Sequence, residues 1–107
     1  MIHQYKNTNI YYEPHLDGGG IEVYPEFLRI IKEKIGKVDS AFEFCAGTAF
    51  IGFSLLADKI CERLTLADIE EESVECCKKT IKENNLGDIV LAYQSDCLKQ
   101  MPVQKYD

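Results

Sequence analysis

Short apolar runs alternate with helix-like segments along most of this chain, and this alternation constrains the fold more than any other feature. The runs are residues 40–45 (SAFEFC), 64–68 (LTLAD) and 89–93 (IVLAY). The first is bounded by a turn and by a loop of small residues, as expected for a buried strand. Strands that alternate with helices predict right-handed crossovers and a parallel sheet. We therefore expect an α/β fold: half of a doubly wound, Rossmann-like domain with three parallel strands in the order 3-2-1.

The segments between the strands predict helices over residues 24–36, 49–64 and 69–87. The first has Pro25 in its first turn and Gly36 at its C-terminal end, as helices often do. We expect it to pack against the sheet through one apolar face, formed by Tyr24, Phe27, Leu28, Ile31 and Ile35.

The second predicted helix is apolar nearly all round at its start, which indicates deep burial. The third has an acidic first turn and basic later turns, an arrangement that complements the helix dipole. Its apolar side is formed by Val74, Cys77 and Ile81.

Residues 1–22 are interpreted as an N-terminal segment, and residues 23–107 as the cofactor-binding half-domain. The N-terminal segment is polar and aromatic and contains the run LDGGG, whose glycines favour a flexible or left-handed turn. Two interpretations stay open for this segment. It is either a plain loop before the domain or a lid that closes over a ligand.

Composition narrows the possible partners and the location of the chain. A net charge of −6 over 107 residues argues against a nucleic-acid backbone as partner of this segment, and no stretch has the length and apolarity of a membrane span. The five cysteines follow a start that lacks the pattern of a signal peptide. We therefore expect reduced thiols, a cytoplasmic location and no metal site, because the spacing that a zinc site requires is not found.

The loop after the first strand, EFCAGTAFIG at residues 43–52, indicates which cofactors the chain could bind. A dinucleotide loop has the pattern G-x-G-x-x-G, so that a pyrophosphate can lie on helix amides. The three positions here are Cys45, Gly47 and Phe50, and the loop contains no Lys or Arg. A phosphate-bearing cofactor is therefore disfavoured, although a fragment of a nicotinamide or flavin enzyme stays as an alternative.

A nucleoside cofactor without phosphates requires less from the loop. It needs one close backbone approach, at Gly47, with small neighbours, which here are Cys45, Ala46, Thr48 and Ala49. It also needs a carboxylate for the ribose hydroxyls, and Asp68 lies at the end of the second strand near the expected spacing. Ser95 and Asp96 follow the third strand, where a polar group would meet the base.

These residues resemble the class I S-adenosylmethionine-dependent methyltransferases. FEFCAGTAFIG is similar to the first motif of that family, an acidic residue followed by x-G-x-G-x-G. Glu43 matches the acid and Gly47 the central glycine, while Cys45 and Ala49 replace the other two glycines. LTLADIEEESVECCKKTIKENNL resembles the second motif, and KENNLGDIVLAYQSD resembles the region of the third. The similarity covers about residues 40–107 and is greatest to the branch that methylates amide or amino nitrogens, including the glutamine-amide and adenine-amino enzymes.

The resemblance implies that S-adenosylmethionine is the cofactor and assigns residues to its parts. Glu43 would meet the ammonium group, Asp68 would hold the ribose hydroxyls, and Asp96 would meet the adenine amino group. The full set of residues implied to bind the cofactor is Glu43, Cys45, Ala46, Gly47, Thr48, Asp68, Ile69, Ser95, Asp96 and Cys97. The methyl acceptor and the catalytic residues are not indicated.

In that branch a fourth strand follows and ends in a motif such as Asn-Pro-Pro-Tyr, which orients the acceptor nitrogen. The sequence reaches Tyr106 and Asp107 before any such motif. We therefore expect a cofactor-binding half that lacks the later strands, with the first strand at an open edge. A further part of the protein, a second chain or a dimer would complete the sheet and permit catalysis. The alternative is a non-catalytic binding or interaction module that retains the fold.

Overall fold

A computed structural model describes residues 1–17, 19–44 and 46–95 of the chain. An N-terminal hairpin and two helices precede three strands that alternate with two helices. In chain order the elements are β1 (Ile2–Tyr5), β2 (Thr8–Tyr11), α1 (Pro14–Asp17), α2 (Gly20–Lys34), β3 (Ser40–Phe44), α3 (Phe50–Ala57), β4 (Arg63–Asp68), α4 (Glu71–Glu83) and β5 (Val90–Gln94).

The three later strands form one parallel sheet in the order β3-β4-β5. Ser40 pairs with Arg63, and Leu64 pairs with Val90, so the sheet has β4 at its centre. In the numbering of these three strands alone, the order is 3-2-1. The predicted α/β fold with a parallel, Rossmann-like sheet is confirmed.

The helix α3 covers one face of this sheet. A Cβ added at Gly52 would lie 3.1 Å from side-chain carbons of both Leu64 and Leu66, so the backbone of α3 closely approaches the centre of β4. Phe53, Leu64 and Leu66 are almost fully buried. The deep burial expected for the start of this helix follows from its position, because α2 and β2 also contact it.

α3 ends at Ala57, seven residues before the end that the sequence predicted. The amides of Lys59 and Ile60 donate to the carbonyls of Leu56 and Leu55, at 3.0 and 2.9 Å. This pair of hydrogen bonds is typical of a Schellman motif. The motif requires a left-handed residue after the helix, and Lys59 has a left-handed φ of 61°. The apolar residues that follow are buried in the approach to β4, which explains why hydrophobicity alone predicted a longer helix.

α4 is also shorter than predicted, because it begins at Glu71 and ends at Glu83. Asn85, with φ 57°, follows the helix in the left-handed conformation. Val74 and Cys77 are buried and Ile81 is partly buried, so the predicted apolar side of this helix does face the core.

α2 also differs from its prediction. It begins at Gly20 instead of residue 24, so the boundary drawn after residue 22 falls inside the helix. Tyr24 stacks on Phe50 of α3, with ring centroids 5.6 Å apart, and Leu28 is buried beside it. Among the described residues, the helix therefore packs mainly on α3, whereas the prediction had it pack on the sheet.

The apolar face predicted for α2 is correct only in part. Tyr24 and Leu28 are buried and Ile31 is partly buried, but Phe27 is 50% exposed and Ile35 is 64% exposed. The sequence pattern contained more apolar residues than one contact with α3 covers.

The hairpin β1–β2 replaces the plain loop that was one interpretation of the N-terminal residues. Ile10 is completely buried in the main core. The amide of Tyr11 donates to Thr80 Oγ1 at 2.9 Å, and Asn84 bonds to both backbone groups of Asn9 at 2.8 and 3.0 Å. The hairpin is thus bound to α4 through the polar groups of its second strand.

A buried carboxylate joins the hairpin to the helices. Asp58 lies just after α3 with its side chain almost fully buried, and it accepts a hydrogen bond from Tyr5 at 2.7 Å. Lys6 and Lys32 form ion pairs with the same carboxylate, which holds the pKa of Asp58 below its usual range despite its burial.

In the described part of the chain, no helix has the length and apolarity needed to cross a membrane.

Candidate functional site

An open cleft of about 660 Å³ lies at the carboxyl ends of β3 and β4, where each strand turns into the next helix. This position is where α/β sheets of parallel strands bind ligands. We call it the carboxyl-end cleft. Its walls are formed by His15, Leu16, Gly20, Val23, Glu43, Ala46, Gly47, Thr48, Ala49, Phe50, Ile51, Asp68, Glu70, Glu72 and Ser73.

Gly47 has a left-handed backbone, with φ 59°, in the turn between β3 and α3. Its amide donates to Asp68 Oδ2 at 2.8 Å, and the neighbouring amide of Ala46 donates to the carbonyl of Ala67 at 3.0 Å. These bonds attach the turn to the end of β4. A glycine is favoured here because a positive φ is costly for residues that carry a Cβ.

Asp68 is the last residue of β4, and both of its carboxylate oxygens accept backbone amides. Oδ2 accepts the amide of Gly47, and Oδ1 accepts the amide of Glu70 at 2.8 Å. A carboxylate has about four acceptor positions, so Asp68 keeps capacity for two further donors. Its position at the mouth of the cleft fits a group that receives ligand hydroxyls while it holds the turn.

Glu43 lies one residue before the end of β3 and is half-buried below the turn. Its Oε1 accepts the amide of Gly52, in the first turn of α3, at 3.0 Å. Burial raises the pKa of Glu43 to about 7, and the nearby Asp68 adds to the increase, while the Gly52 amide opposes it. A cationic group beside Glu43 would favour its charged form.

The ionisable side chains on the walls of the carboxyl-end cleft are mainly acidic. They are the carboxylates of Glu43, Asp68, Glu70 and Glu72, together with His15. His15 Nε2 lies 3.1 Å from Glu72 Oε2 and so joins α1 to the start of α4 across the cleft. The described lining residues include no lysine or arginine, so the electrostatic field of the walls favours a cationic ligand.

Thr48 is the one turn residue with a polar side chain among those described between β3 and α3. It is 2% exposed, and its Oγ1 has no hydrogen-bond partner among the described residues. A buried hydroxyl without a partner is costly, so a partner supplied by a ligand or by water would stabilise it.

The structure brings together five of the residues that the sequence predicted for cofactor binding. Glu43, Ala46, Gly47, Thr48 and Asp68 all line the carboxyl-end cleft.

Two other predicted residues lie next to the cleft, outside its walls. Ile69 is 58% exposed, and its carbonyl accepts the side-chain amide of Gln94 at 3.0 Å. Ser95 is buried, and its amide donates to the carbonyl of Asp68 at 2.9 Å. The remaining three predicted residues, Cys45, Asp96 and Cys97, lie outside the described residues.

The wall of the carboxyl-end cleft that α1 and α2 form was not predicted from the sequence. His15, Leu16 and Val23 line the cleft opposite Asp68 and Glu72. The carbonyl of Leu16 lies 3.6 Å from the position that a Cβ of Gly47 would occupy. The available signal was the LDGGG run, because a lid that closes over a ligand was one of two interpretations of that segment, but the run did not identify the residues that line the cleft.

A parallel sheet with crossover helices, and a cleft at its carboxyl edge, place this chain in the Rossmann-like α/β class. The sequence matches the family described as methyltransferase small domain over residues 7–107. The chain therefore belongs to that family, which agrees with the resemblance seen in its motifs.

Several solved structures have similar folds, and some of them are named as methyltransferases. TrmK of M. capricolum, in complex with the natural cofactor product S-adenosyl-homocysteine, has a TM-score of 0.63 and 12% identity over 75% of this chain and 35% of its own. TYW2 of P. horikoshii, in complex with MeSAdo, has a TM-score of 0.62 and 14% identity over 95% of this chain and 38% of its own.

A dimethyladenosine transferase from Plasmodium falciparum has a TM-score of 0.59 and 20% identity over 92% of this chain and 31% of its own. The chain thus spans about a third of the length of these structures. At these identities the similarity shows the fold. Among the curated proteins, no significant match was found.

Proposed function

We propose that this chain binds S-adenosylmethionine in the carboxyl-end cleft and supplies the cofactor-binding half of a methyltransferase. The observation that carries the proposal is the bond between the Gly47 amide and Asp68, which places a left-handed glycine turn against an acidic strand end. The family match supports the proposal, and so do the ligands named for two structures of similar fold.

The charge of the cleft favours this cofactor over a dinucleotide. S-adenosylmethionine carries a cationic sulfonium, a cationic ammonium and one carboxylate, so its net charge is positive, whereas a dinucleotide carries two phosphates. Four carboxylates and a histidine line the cleft, and no lysine or arginine is among the described lining residues. A phosphate would therefore meet like charge, which disfavours its binding.

The proposed roles follow from the position of each residue. Asp68 receives the ribose hydroxyls through the acceptor positions that the two backbone amides leave free. Glu43 attracts the ammonium group, directly or through water. Ala46, Gly47 and Thr48 present the turn to the methionine part, and the Thr48 hydroxyl gains a hydrogen-bond partner.

The adenine would lie beyond Asp68, near the end of β5. Ile69 offers an exposed apolar surface there, and Ser95 closes the strand end next to it. Asp96 and Cys97 would follow along the chain, outside the described residues.

When bound, the cofactor supplies a methyl group on a sulfonium that is its own leaving group. The residues of this chain therefore act by orienting the cofactor and by limiting access of water, without breaking a bond themselves. We propose a nitrogen as the methyl acceptor, because the motifs most resemble the amide and amino branch. The groups that orient that nitrogen are not among the residues to which we assign roles.

We also propose that another strand, from a further part of the protein or from a second chain, pairs with the edge of β3 that faces away from β4. Among the described residues, β4 is the only strand that bonds to β3. Phe44 is 45% exposed at the cleft end of β3 and stacks with Phe42, at a ring distance of 6.3 Å. An apolar strand with an open edge favours pairing.

Hydrogen exchange and sedimentation test the edge proposal. If a second chain supplies the strand, β3 amides on the open side are protected from exchange and the sedimentation mass rises with concentration. If a further part of the protein supplies it, an extended protein protects these amides as a monomer, while this chain alone does not. Rapid exchange of these amides in both proteins, at every concentration, would contradict the proposal.

Calorimetric titration of S-adenosylhomocysteine into the purified chain tests cofactor binding. We expect Asp68→Ala to weaken binding by on the order of 1–3 kcal/mol, because charge-assisted hydrogen bonds to the ribose are lost. Asp88→Ala is the matched control, since Asp88 is an exposed aspartate outside the carboxyl-end cleft.

NAD is the control ligand in the same titration and should not bind measurably. Equal binding of NAD and S-adenosylhomocysteine, or equal affinity of Asp68→Ala and the parent chain, would contradict the proposed site. A folded chain that binds neither ligand would favour the non-catalytic interaction module.

A further inference from the structure

Cys77 connects α4 to the turn that forms the carboxyl-end cleft. It is buried on the side of α4 that faces the core, and its Sγ donates to the carbonyl of Gly47 at 3.2 Å. The sequence pattern indicates only that this cysteine belongs to the apolar side of α4. Its contact with the turn is a separate observation that the proposed function does not use.

Gly47 is held from both sides of its Cα. Its amide donates to Asp68 Oδ2, and its carbonyl accepts from Cys77 Sγ. The two bonds act on the two peptide groups that flank the left-handed φ of 59°. Together they restrict both backbone dihedrals of the one glycine in the turn.

The two bonds differ in how a ligand would affect them. Asp68 faces the cleft, so ligand hydroxyls would share its carboxylate with the Gly47 amide. Cys77 does not line the cleft and would keep its bond unchanged. Burial raises the pKa of the Cys77 thiol far above its ordinary value, as do the nearby Glu43 and Asp68, so the sulfur stays protonated and remains a donor.

We propose that Cys77 is a positioning residue for the cofactor: its thiol keeps the Gly47 turn in the binding conformation while Asp68 engages the ligand. This inference rests on the proposed function. It implies that cofactor affinity depends on a hydrogen-bond donor at position 77, and not only on an apolar side chain of suitable size.

The experiment compares Cys77→Ala, Cys77→Ser and Cys61→Ala. Serine retains a donor, whereas alanine removes it. Cys61 is as buried as Cys77, but it lies before β4 and away from the carboxyl-end cleft, so Cys61→Ala reproduces the loss of a buried thiol. The readouts are the affinity for S-adenosylhomocysteine and the exchange rate of the Gly47 amide in the chain without ligand.

We expect Cys77→Ala to weaken binding roughly three- to ten-fold and to speed exchange of the Gly47 amide by a similar factor, as for the loss of one hydrogen bond. Cys77→Ser should restore most of both properties. Cys61→Ala should leave both unchanged, even if it lowers the midpoint of urea unfolding as much as Cys77→Ala does.

An unchanged affinity in Cys77→Ala, or a serine variant no better than the alanine variant, would overturn the inference. If the parent chain does not bind S-adenosylhomocysteine, the proposed function fails. The exchange rate of the Gly47 amide then decides the role of Cys77 by itself: unchanged exchange in Cys77→Ala overturns that role, and faster exchange supports it.

Discussion

The two strand-to-helix turns at the carboxyl edge of the sheet have the same topology and opposite chemistry. The turn after β3 is formed by small residues, with Thr48 and Ala49 buried and with Gly47 and Ala49 both in left-handed conformations. The turn after β4 is exposed at Ile69 and Glu70 and acidic. The Gly47 amide and the Asp68 carboxylate join the two turns.

This difference shows how a ligand's requirements are divided between two equivalent positions of one fold. The first turn offers backbone groups that a ligand can approach closely. Its function therefore depends on the backbone conformation and on small side chains. The second turn offers the carboxylate of Asp68 and the apolar surface of Ile69. Its function therefore depends on the chemistry of these side chains. We therefore expect substitutions in the first region to affect mainly stability, and substitutions in the second to affect mainly binding.

Added volume beneath the first turn should have the largest effect on stability. In Gly52→Ala the new Cβ would lie 2.6 Å from Glu43 Oε1 and 3.1 Å from carbons of Leu64 and Leu66. We expect a loss of about 3 kcal/mol in the free energy of unfolding, because overpacking is combined with a disturbed Glu43 bond. Urea unfolding measures this loss.

Gly87→Ala is the control, since nothing lies within 4 Å of the position of its added Cβ. Its effect should stay within about 0.5 kcal/mol. Equal effects of the two substitutions would show that the region below the first turn is not tightly packed.

The pH dependence of the free energy of unfolding tests the raised pKa of Glu43, which lies below the first turn. Burial raises the pKa of Glu43 from 4.5 to about 7, so its stabilising effect is fully present below pH 4.5 and is lost as pH rises through about 7. Glu43→Gln does not titrate and still offers an oxygen to Gly52. We expect this variant to gain on the order of 2 kcal/mol relative to the parent chain between about pH 5 and about pH 8.

Urea unfolding of both proteins at the two pH values measures this gain. A constant difference between variant and parent across this range would contradict the raised pKa.

Substitutions within the first turn separate conformation from volume. Gly47→Ala should lower the free energy of unfolding by about 1–2 kcal/mol, the usual penalty of a left-handed backbone. No clash adds to this penalty, because the nearest atom to the new Cβ lies at an ordinary 3.6 Å.

Ala49→Gly relieves a φ of 64° but removes a buried methyl group and adds freedom to the unfolded chain. These effects nearly cancel, so we expect a change within about 0.5 kcal/mol. Thermal unfolding measures both, and a destabilised Ala49→Gly would show that burial outweighs strain.

The smallest effect on stability should come from the second turn. Ile69 is 58% exposed, so Ile69→Ala should change the free energy of unfolding by less than about 0.5 kcal/mol. The same substitution should weaken binding of S-adenosylhomocysteine by about 1 kcal/mol, because apolar surface against the adenine is removed. Calorimetry and urea unfolding together measure this pair of values, and the reverse pattern would place Ile69 outside the site.

The sequence predicted the sheet and its order because those depend on the alternation of apolar runs with helical segments. It did not predict the early end of α3, because Lys59 reveals no left-handed preference by its type. It did not predict the hairpin either, because its partners, Thr80 and Asn84, lie far away in the sequence.

The same distinction applies to the candidate site. Glu43, Gly47 and Asp68 were identified because their types and spacing follow a motif, and the structure does place them around one cleft. His15 was not identified, because it belongs to no motif and lines the cleft only as a result of how the chain folds before α2. The contact of Cys77 with Gly47 had no sequence signal, because a thiol on an apolar helix face indicates only burial.

The attachment of the hairpin to α4 also has a consequence for biosynthesis. Asn9 bonds to Asn84 across 75 positions, and Tyr11 bonds to Thr80 across 69. The hairpin therefore leaves the ribosome long before its partners exist, and contacts of such large sequence separation slow folding. We expect the residues of the hairpin to be among the last to reach their native positions. During translation the apolar side chain of Ile10 is then exposed to chaperones until α4 has emerged.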